Sequence, residues 1–248
     1  MKLHCLGTTG YHPSEMRHTS CYFIPTHGIV LDAGTGLFRL PELIETDHLD
    51  ILLSHAHLDH VVGLTYLLDI LYQRPVDSVR VWGAAEKLQA IRAHLFSEHL
   101  FPVLPDVEWQ SISIGDTIEL ESGIKTKTFP LVHPGGSIGF RLQHSGRSLA
   151  YVTDTTAAAD APYIQEIEGV DVLLHECNFR TTQHEWAEKT GHSSCELVGQ
   201  VAAAAGAGQA WITHVNPLET GEDPVGIADA RRHFSNINVL SDGQIIDF

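Results

Sequence analysis

The ten residues Ile51-Leu52-Leu53-Ser54-His55-Ala56-His57-Leu58-Asp59-His60 constrain the chain more than any other stretch. Read with Leu49 and Asp50, the run Ile51-Leu52-Leu53 has the length and composition of a buried strand. It stops at three imidazoles and a carboxylate packed into six positions. These are borderline-to-hard ligands of the kind that zinc, manganese and iron(II) prefer, and the stretch reads as a metal site. If the backbone stays extended through His55 and His57, both side chains leave the same face, because strand side chains alternate with period two, and both can reach one metal. Residues 61–71 have helical apolar spacing, which puts Asp59 and His60 at a strand-to-helix turn, facing a second metal nearby. The bland alternative is a histidine-rich surface loop; a lone histidine would favour it, but HxHxDH after an apolar strand does not.

His55-Ala56-His57-Leu58-Asp59-His60 resembles the signature of the metallo-β-lactamase superfamily. The remainder of the chain has the strands such a fold would need. Lys2–Leu6 reads as a first strand followed by the loop Gly7-Thr8-Thr9-Gly10-Tyr11. Cys21–Ile24 and Gly28–Asp32 read as a hairpin joined by Pro25-Thr26-His27-Gly28. Asp32 ends its strand either as an ordinary turn residue or, as the resemblance implies, near the floor of the metal site. After a break at Pro75 come a strand near Val79–Trp82, an amphipathic helix over Glu86–Phe96 and a strand over Trp109–Ile114.

The second half repeats the arrangement seen at His55. Ile124–Leu131 is a strand soon followed by His133, Ser148–Thr153 runs into Asp154, Val170–Leu174 into His175 and Glu176, and Ala210–Thr213 into His214. Strand ends at His55, His133, Asp154, His175 and His214 therefore define a common rim. The Asp154 carboxylate has two oxygens with which to bridge two metals. His192 lies just before an Ala-rich helix for which Ser193 or Ser194 is the N-cap.

The order HxHxDH, His, Asp, His matches the superfamily over essentially the whole chain, and His175-Glu176-Cys177-Asn178-Phe179 and His192-Ser193-Ser194 resemble elements of its ribonuclease Z and phosphodiesterase branch. The resemblance implies one αββα sandwich domain over residues 1–248, with two mixed β-sheets flanked by helices. It also implies one metal on His55, His57 and His133, another on Asp59, His60 and His214, and Asp154 between them. Asp59, His192 and Glu176 are the candidate catalytic residues, with Glu176 orienting His192 toward a leaving oxygen, while His175 is either a rim residue or a support for a ligand. The ions expected are two divalent cations, zinc first and manganese as the alternative.

The expected activity is hydrolysis of a small or single-stranded phosphodiester. Alternatives are a tRNA 3′-processing endonuclease of the ribonuclease Z type, a lactone or thioester hydrolase, and a metal-binding protein without turnover. Two features count against RNA. The balance of 15 basic and 31 acidic residues, a formal charge of −16, opposes loose attraction to nucleic acid or anionic membranes. The 20 residues between His133 and Asp154 also leave no room for the long tRNA-gripping arm that many ribonuclease Z proteins carry there. A cysteine cluster seen in the cyclic-phosphate phosphodiesterase of phosphonate metabolism is missing from the N-terminal loop, so that substrate is not implied.

Four cysteines without CxxC spacing, no signal-peptide pattern and no membrane-length apolar run lead to the expectation of a cytoplasmic protein with free thiols. Homodimerisation is an expectation by family analogy alone. Of the 17 histidines, His12, His48, His94, His99, His144, His184 and His233 default to surface roles.

Overall fold

The computed structural model describes residues 1–248 as two seven-stranded mixed sheets with helices on their outer faces, the αββα sandwich that the resemblance implied. One sheet contains β1 (Lys2–Gly7), β2 (Cys21–Ile24), β3 (Ile29–Leu31), β4 (His48–Leu52), β5 (Ser78–Gly83), β6 (Glu108–Ser111) and β14 (Ile245–Asp247), ordered β14-β1-β2-β3-β4-β5-β6. The other contains β7 (Thr117–Glu119), β8 (Lys125–Leu131), β9 (Ser137–His144), β10 (Arg147–Val152), β11 (Val172–Glu176), β12 (Gln209–Thr213) and β13 (Ile237–Val239), ordered β13-β12-β11-β10-β9-β8-β7.

Both sheets change from antiparallel to parallel pairing at one strand. β3 is antiparallel to β2 and parallel to β4, and β10 is antiparallel to β9 and parallel to β11. Parallel strands buried on both faces read as continuous apolar runs, which is why β4 and β11 were conspicuous in the sequence. Period-two alternation then sorts β11 between layers. Val172 and Leu174 join Tyr22, Ile24 and Phe140 between the sheets, whereas Leu173 faces Val198 and Val201 of α5 (Cys195–Ala204). The outer face of the first sheet is covered by α1 (Leu58–Val61), α2 (Leu67–Gln73) and α3 (Ala85–Ala90), through Val61, Leu67, Ile70 and Leu88. α4 (His184–Thr190) and α6 (Ile227–Arg231) complete the helices, and no helix is long and apolar enough to cross a membrane.

Two expected helices are broken up. The helical pattern over residues 61–71 is realised as α1, a 3-10 segment over Val62–Tyr66, and α2. Gly63 explains the overwinding. Its N–H donates to the Ala33 carbonyl at 2.8 Å, and a Cβ there would come within 2.3 Å of the Gly34 carbonyl oxygen, so the segment is pulled against the Asp32 loop. The helix expected over Glu86–Phe96 is α3 followed by a π segment, Ile91–Leu95. The strand expected over Trp109–Ile114 is the shorter β6. Ser194 occupies the N-cap position of α5 without a capping side-chain bond; Ser193 Oγ instead accepts from Ala157 N–H and donates to the Thr155 carbonyl, tying this segment to the Asp154 loop. All four cysteines are free and buried.

Candidate metal centre

Carboxyl ends of parallel strands at a pairing switch are where α/β sheets gather ligands. Here Asp32 follows β3, the His55–His57 loop follows β4, Asp154 follows β10, and His214 follows β12; His133 arrives from the end of β8. Asp59 and His60 lie within the first turn of α1, not in a turn before it. Five non-glycine residues have positive φ, and four of them border this rim: Tyr11 (63°), Asp32 (55°), Asp154 (51°) and His214 (53°). A left-handed conformation costs an L-residue about 1–2 kcal/mol, and such strain collects at functional sites.

The seven side chains proposed from the sequence as ligands converge in two groups. His55, His57, His133 and Asp154 bring their ligand atoms within 4.8 Å of one another, and so do Asp59, His60 and His214. The Asp154 carboxylate joins them. Its Oδ2 lies 3.6 Å from both His55 Nε2 and His133 Nε2, and its Oδ1 lies 3.2 Å from His60 Nε2 and 3.3 Å from His214 Nε2. Asp59 Oδ2 is 3.4 Å from His60 Nε2 and 3.2 Å from His214 Nε2.

The nitrogen–nitrogen distances test whether cations fit. His60 Nε2 and His214 Nε2 approach to 3.2 Å, and His133 Nε2 and His57 Nδ1 to 3.3 Å. His60 Nδ1 donates to Asp32 Oδ2 at 2.7 Å and His133 Nδ1 to the Gly191 carbonyl at 2.9 Å, so in the neutral rings both Nε2 atoms present lone pairs. Donor atoms about 2.0–2.1 Å from a tetrahedral ion stand about 3.3 Å apart, which is the spacing seen. His55 Nε2 is a buried nitrogen without a hydrogen-bond partner, as an inward-facing ligand atom would be.

Electrostatics agree. Burial lowers the pKa of His55, His57 and His133, keeping them neutral and able to coordinate. Burial also works against charge on His60, yet Asp154, Asp59 and Asp32 together raise its pKa well above the ordinary value. For Asp59 and Asp154 burial opposes ionisation, but the surrounding imidazoles hold both carboxyls well below their usual range. Counted with protein charges alone, the pocket draws positive charge inward.

Outer residues fix the orientation of the inner ones. Asp32, fully buried, accepts from Ser54 N–H, Ser54 Oγ, His60 Nδ1 and Tyr151 Oη, so it is a support for His60 and not an ordinary turn residue. Thr153 Oγ1 donates to Asp154 Oδ1 at 2.7 Å. Tyr11 N–H donates to Asp59 Oδ2 at 2.7 Å. Gly10 is required for close approach, since a Cβ there would meet Cε1 of His214 at 2.1 Å. The roles of Tyr11, Ser54, Tyr151 and Thr153 escaped sequence reading because neither periodicity nor spacing marks a residue that acts through a distant partner.

His192 stands beside the cluster, its ring 5.0 Å from that of His133 and stacked 5.3 Å from that of His214. Its Nδ1 pairs with Glu176 Oε1 at 3.0 Å, and Glu176 also accepts from Thr155 N–H. Burial disfavours the imidazolium, but Glu176, with Asp154 and Asp59, raises its pKa to about 9. A cleft of about 280 Å³ opens over this side, lined by His57, Asp59, Asp154, His192 and His214 together with Tyr11, His12 and Leu218.

His175 does not join the rim. One residue out of phase with Glu176 on β11, it turns to the helix-facing side, where Nε2 meets Tyr163 Oη at 2.8 Å and Nδ1 the Glu176 carbonyl at 2.7 Å. The strand-end rule therefore holds at His55, His133, Asp154 and His214 and fails at His175, where Glu176 is the residue turned to the site.

Comparison with known proteins agrees with this architecture. Residues 27–215 match the family model described as the beta-lactamase superfamily domain. Ribonuclease Z of Haloarcula marismortui is 23% identical over 310 aligned residues, covering 98% of this chain and 94% of that protein. The probable metallo-hydrolase YhfI of Bacillus subtilis is 26% identical over 221, covering 87% of each. The crystal structure of YhfI superposes with a TM-score of 0.84 at 21% identity over 99% of both chains, and that of the short form of human tRNase Z with 0.79 at 20% over 100% of this chain and 99% of that one. From its matched sequence, its fold and its clustered histidines and aspartates, this chain belongs to the metallo-β-lactamase superfamily, as a ribonuclease Z-like member.

Proposed function

We propose that this superfamily hydrolase is a phosphodiesterase that works with two divalent cations on a small or single-stranded phosphodiester. One observation carries the reading: the two oxygens of Asp154 face two separate nitrogen clusters at 3.2–3.6 Å, the placement expected of a bridge between paired ions. His55, His57 and His133 would hold one ion, Asp59, His60 and His214 the other, and Asp154 both. Five imidazoles and two carboxylates make a donor set suited to zinc, with manganese the alternative. Such a pair supplies, when bound, Lewis acidity toward phosphoryl oxygens and a water of lowered pKa.

The chain's own residues do the rest. Asp59, anchored by Tyr11 N–H, keeps a negative charge beside His60 and His214. His192, tethered through Nδ1 to Glu176, offers its other nitrogen to the cleft and donates its proton to the departing oxygen. Glu176 is a positioning residue, since it acts through His192.

Kinship with proteins named ribonuclease Z favours a second reading, cleavage of an RNA phosphodiester. The formal charge of −16 weighs against it, as does the direct β9–β10 hairpin, which turns at Ser145-Gly146 and carries no arm. Parallel assays with bis(p-nitrophenyl) phosphate, a lactone, a thioester and a precursor tRNA, each with zinc and with manganese, test the proposal. Turnover of the phosphodiester in preference to the lactone and thioester is expected. Turnover of a lactone or thioester alone, or of none of the four, would overturn it.

A further inference from the structure

Two large side chains that line the cleft are almost fully solvated: Tyr11, 80% exposed, and Leu218, 78% exposed. Tyr11 is held there by its backbone. Thr9 Oγ1 and Gly10 N–H both donate to the Val215 carbonyl, and Tyr11 N–H donates to Asp59. His12 N–H then folds back onto the Gly10 carbonyl at 2.8 Å, which makes Tyr11 the central residue of a γ-turn with φ 63°, the strained form of that turn. Glycine or asparagine would keep this backbone at less strain, and the phenol ring gains little packing in return, with the His12 edge 5.1 Å away. Folding alone therefore gives no reason for a tyrosine at this point.

The composition of the cleft indicates what the ring is for. No lysine or arginine lines it, so once a phosphate lies against the ligand cluster, the remainder of the substrate meets the aromatic and apolar side chains of Tyr11, Phe179, Pro217 and Leu218 set among polar ones such as Asn178 and Asn216. Because Tyr11 N–H touches Asp59 directly, its ring is within reach of the base of a nucleoside whose phosphate occupies the cluster. Bases stack on tyrosine and against apolar side chains without basic residues or sequence readout.

Building on the phosphodiesterase reading, we propose that Tyr11, with Leu218 as the apolar counterpart, is a nucleobase-stacking residue, so that the substrate is a nucleoside phosphodiester and not a sugar or lipid phosphate. The test is calorimetric binding of uridine 5′-monophosphate and of ethyl phosphate, which lacks a base, to zinc-loaded protein. Wild type is expected to bind the nucleotide about 5- to 100-fold more tightly than ethyl phosphate, with Tyr11→Ala erasing that preference and Tyr11→Phe keeping it. Equal binding of the two ligands by wild type overturns the assignment. So does an equal loss on both ligands, or a fall in zinc content, in Tyr11→Ala, either of which would make Tyr11 only a support for Asp59. A hexaribonucleotide run in parallel separates the two sources of a base: tighter binding than the mononucleotide, with the same loss in Tyr11→Ala, assigns an RNA end, and equal binding assigns a free nucleotide. Hydrolysis of bis(p-nitrophenyl) phosphate by the same samples keeps the two proposals apart. Base preference without turnover removes the phosphodiesterase reading alone, and turnover without base preference removes the stacking role alone.

Discussion

Asp32→Asn separates a turn residue from a support of the metal centre. Asparagine tolerates the left-handed backbone about as well as aspartate, so φ 55° is not the obstacle. The difficulty is donors. Asp32 Oδ1 accepts Ser54 N–H at 2.7 Å, and Oδ2 accepts Ser54 Oγ at 2.8 Å and His60 Nδ1 and Tyr151 Oη at 2.7 Å each, all of them buried. An amide has one oxygen. Turned toward the three-donor side, it leaves the Ser54 N–H facing an NH2 group, an orphaned donor costing about 1–3 kcal/mol, and it removes the charge assistance of three bonds at about 1 kcal/mol each. The sum is about 4–6 kcal/mol, and at about 2–4 °C per kcal/mol for a chain of this size the melting temperature falls by about 10–20 °C. Exchanging the carboxylate that accepts from His60 Nδ1 for a neutral amide oxygen also weakens one metal site by about 10- to 100-fold. Thermal melts in chelator read the first quantity, and competition against a zinc-binding dye reads the second. A melting temperature within about 2 °C of wild type, with both zinc affinities unchanged, would show that the buried network does not hold His60.

Gly10→Ala places a methyl group 2.1 Å from the His214 ring, and zinc content is expected to drop from two ions toward one while the fold persists; two tightly bound ions in this variant would refute the close packing. His192→Ala is expected to lose about 10²-fold or more in kcat with zinc content intact, and to lose more on an alkyl leaving group than on p-nitrophenolate; equal small effects on both would remove its role as proton donor. Burial lowers the pKa of His175 below that of the unfolded chain, so its contribution to stability is full above about pH 6.5 and is lost as pH falls below that value. In chelator, His175→Gln should therefore flatten the acid side of the stability profile by up to about 1.4 kcal/mol per pH unit, as read from denaturant melts at stepped pH; an unchanged slope would mean that His175 does not bind this proton.

Much of the fold was legible because parallel strands buried on both faces leave uninterrupted apolar runs, and because the residues that follow them are unusual in type. That combination located His55, His133, Asp154 and His214 from sequence. It misled at His175, where the strand continues two residues past its apolar run and the regular alternation turns His175 to the helix side, leaving Glu176 turned to the site. Helices were less legible: the spacing over residues 61–71 is helical, but the contact of Gly63 with the Ala33-Gly34 backbone imposes a 3-10 segment that no local pattern announces. Asp32 was undecided in sequence because a buried four-donor acceptor and a turn aspartate look alike until Ser54, His60 and Tyr151 are seen around it. Tyr11 was invisible for a related reason, since its meaning lies in the positive φ and in a bond to Asp59, 48 positions away.

The central claim is that the two clusters joined by Asp154 act together as one dinuclear centre. A titration of chelator-stripped protein with zinc, following hydrolysis of bis(p-nitrophenyl) phosphate at each addition, tests it most directly. The account predicts that turnover climbs and levels off at two equivalents per chain. Turnover that is complete without added zinc, or absent at every stoichiometry, would contradict it.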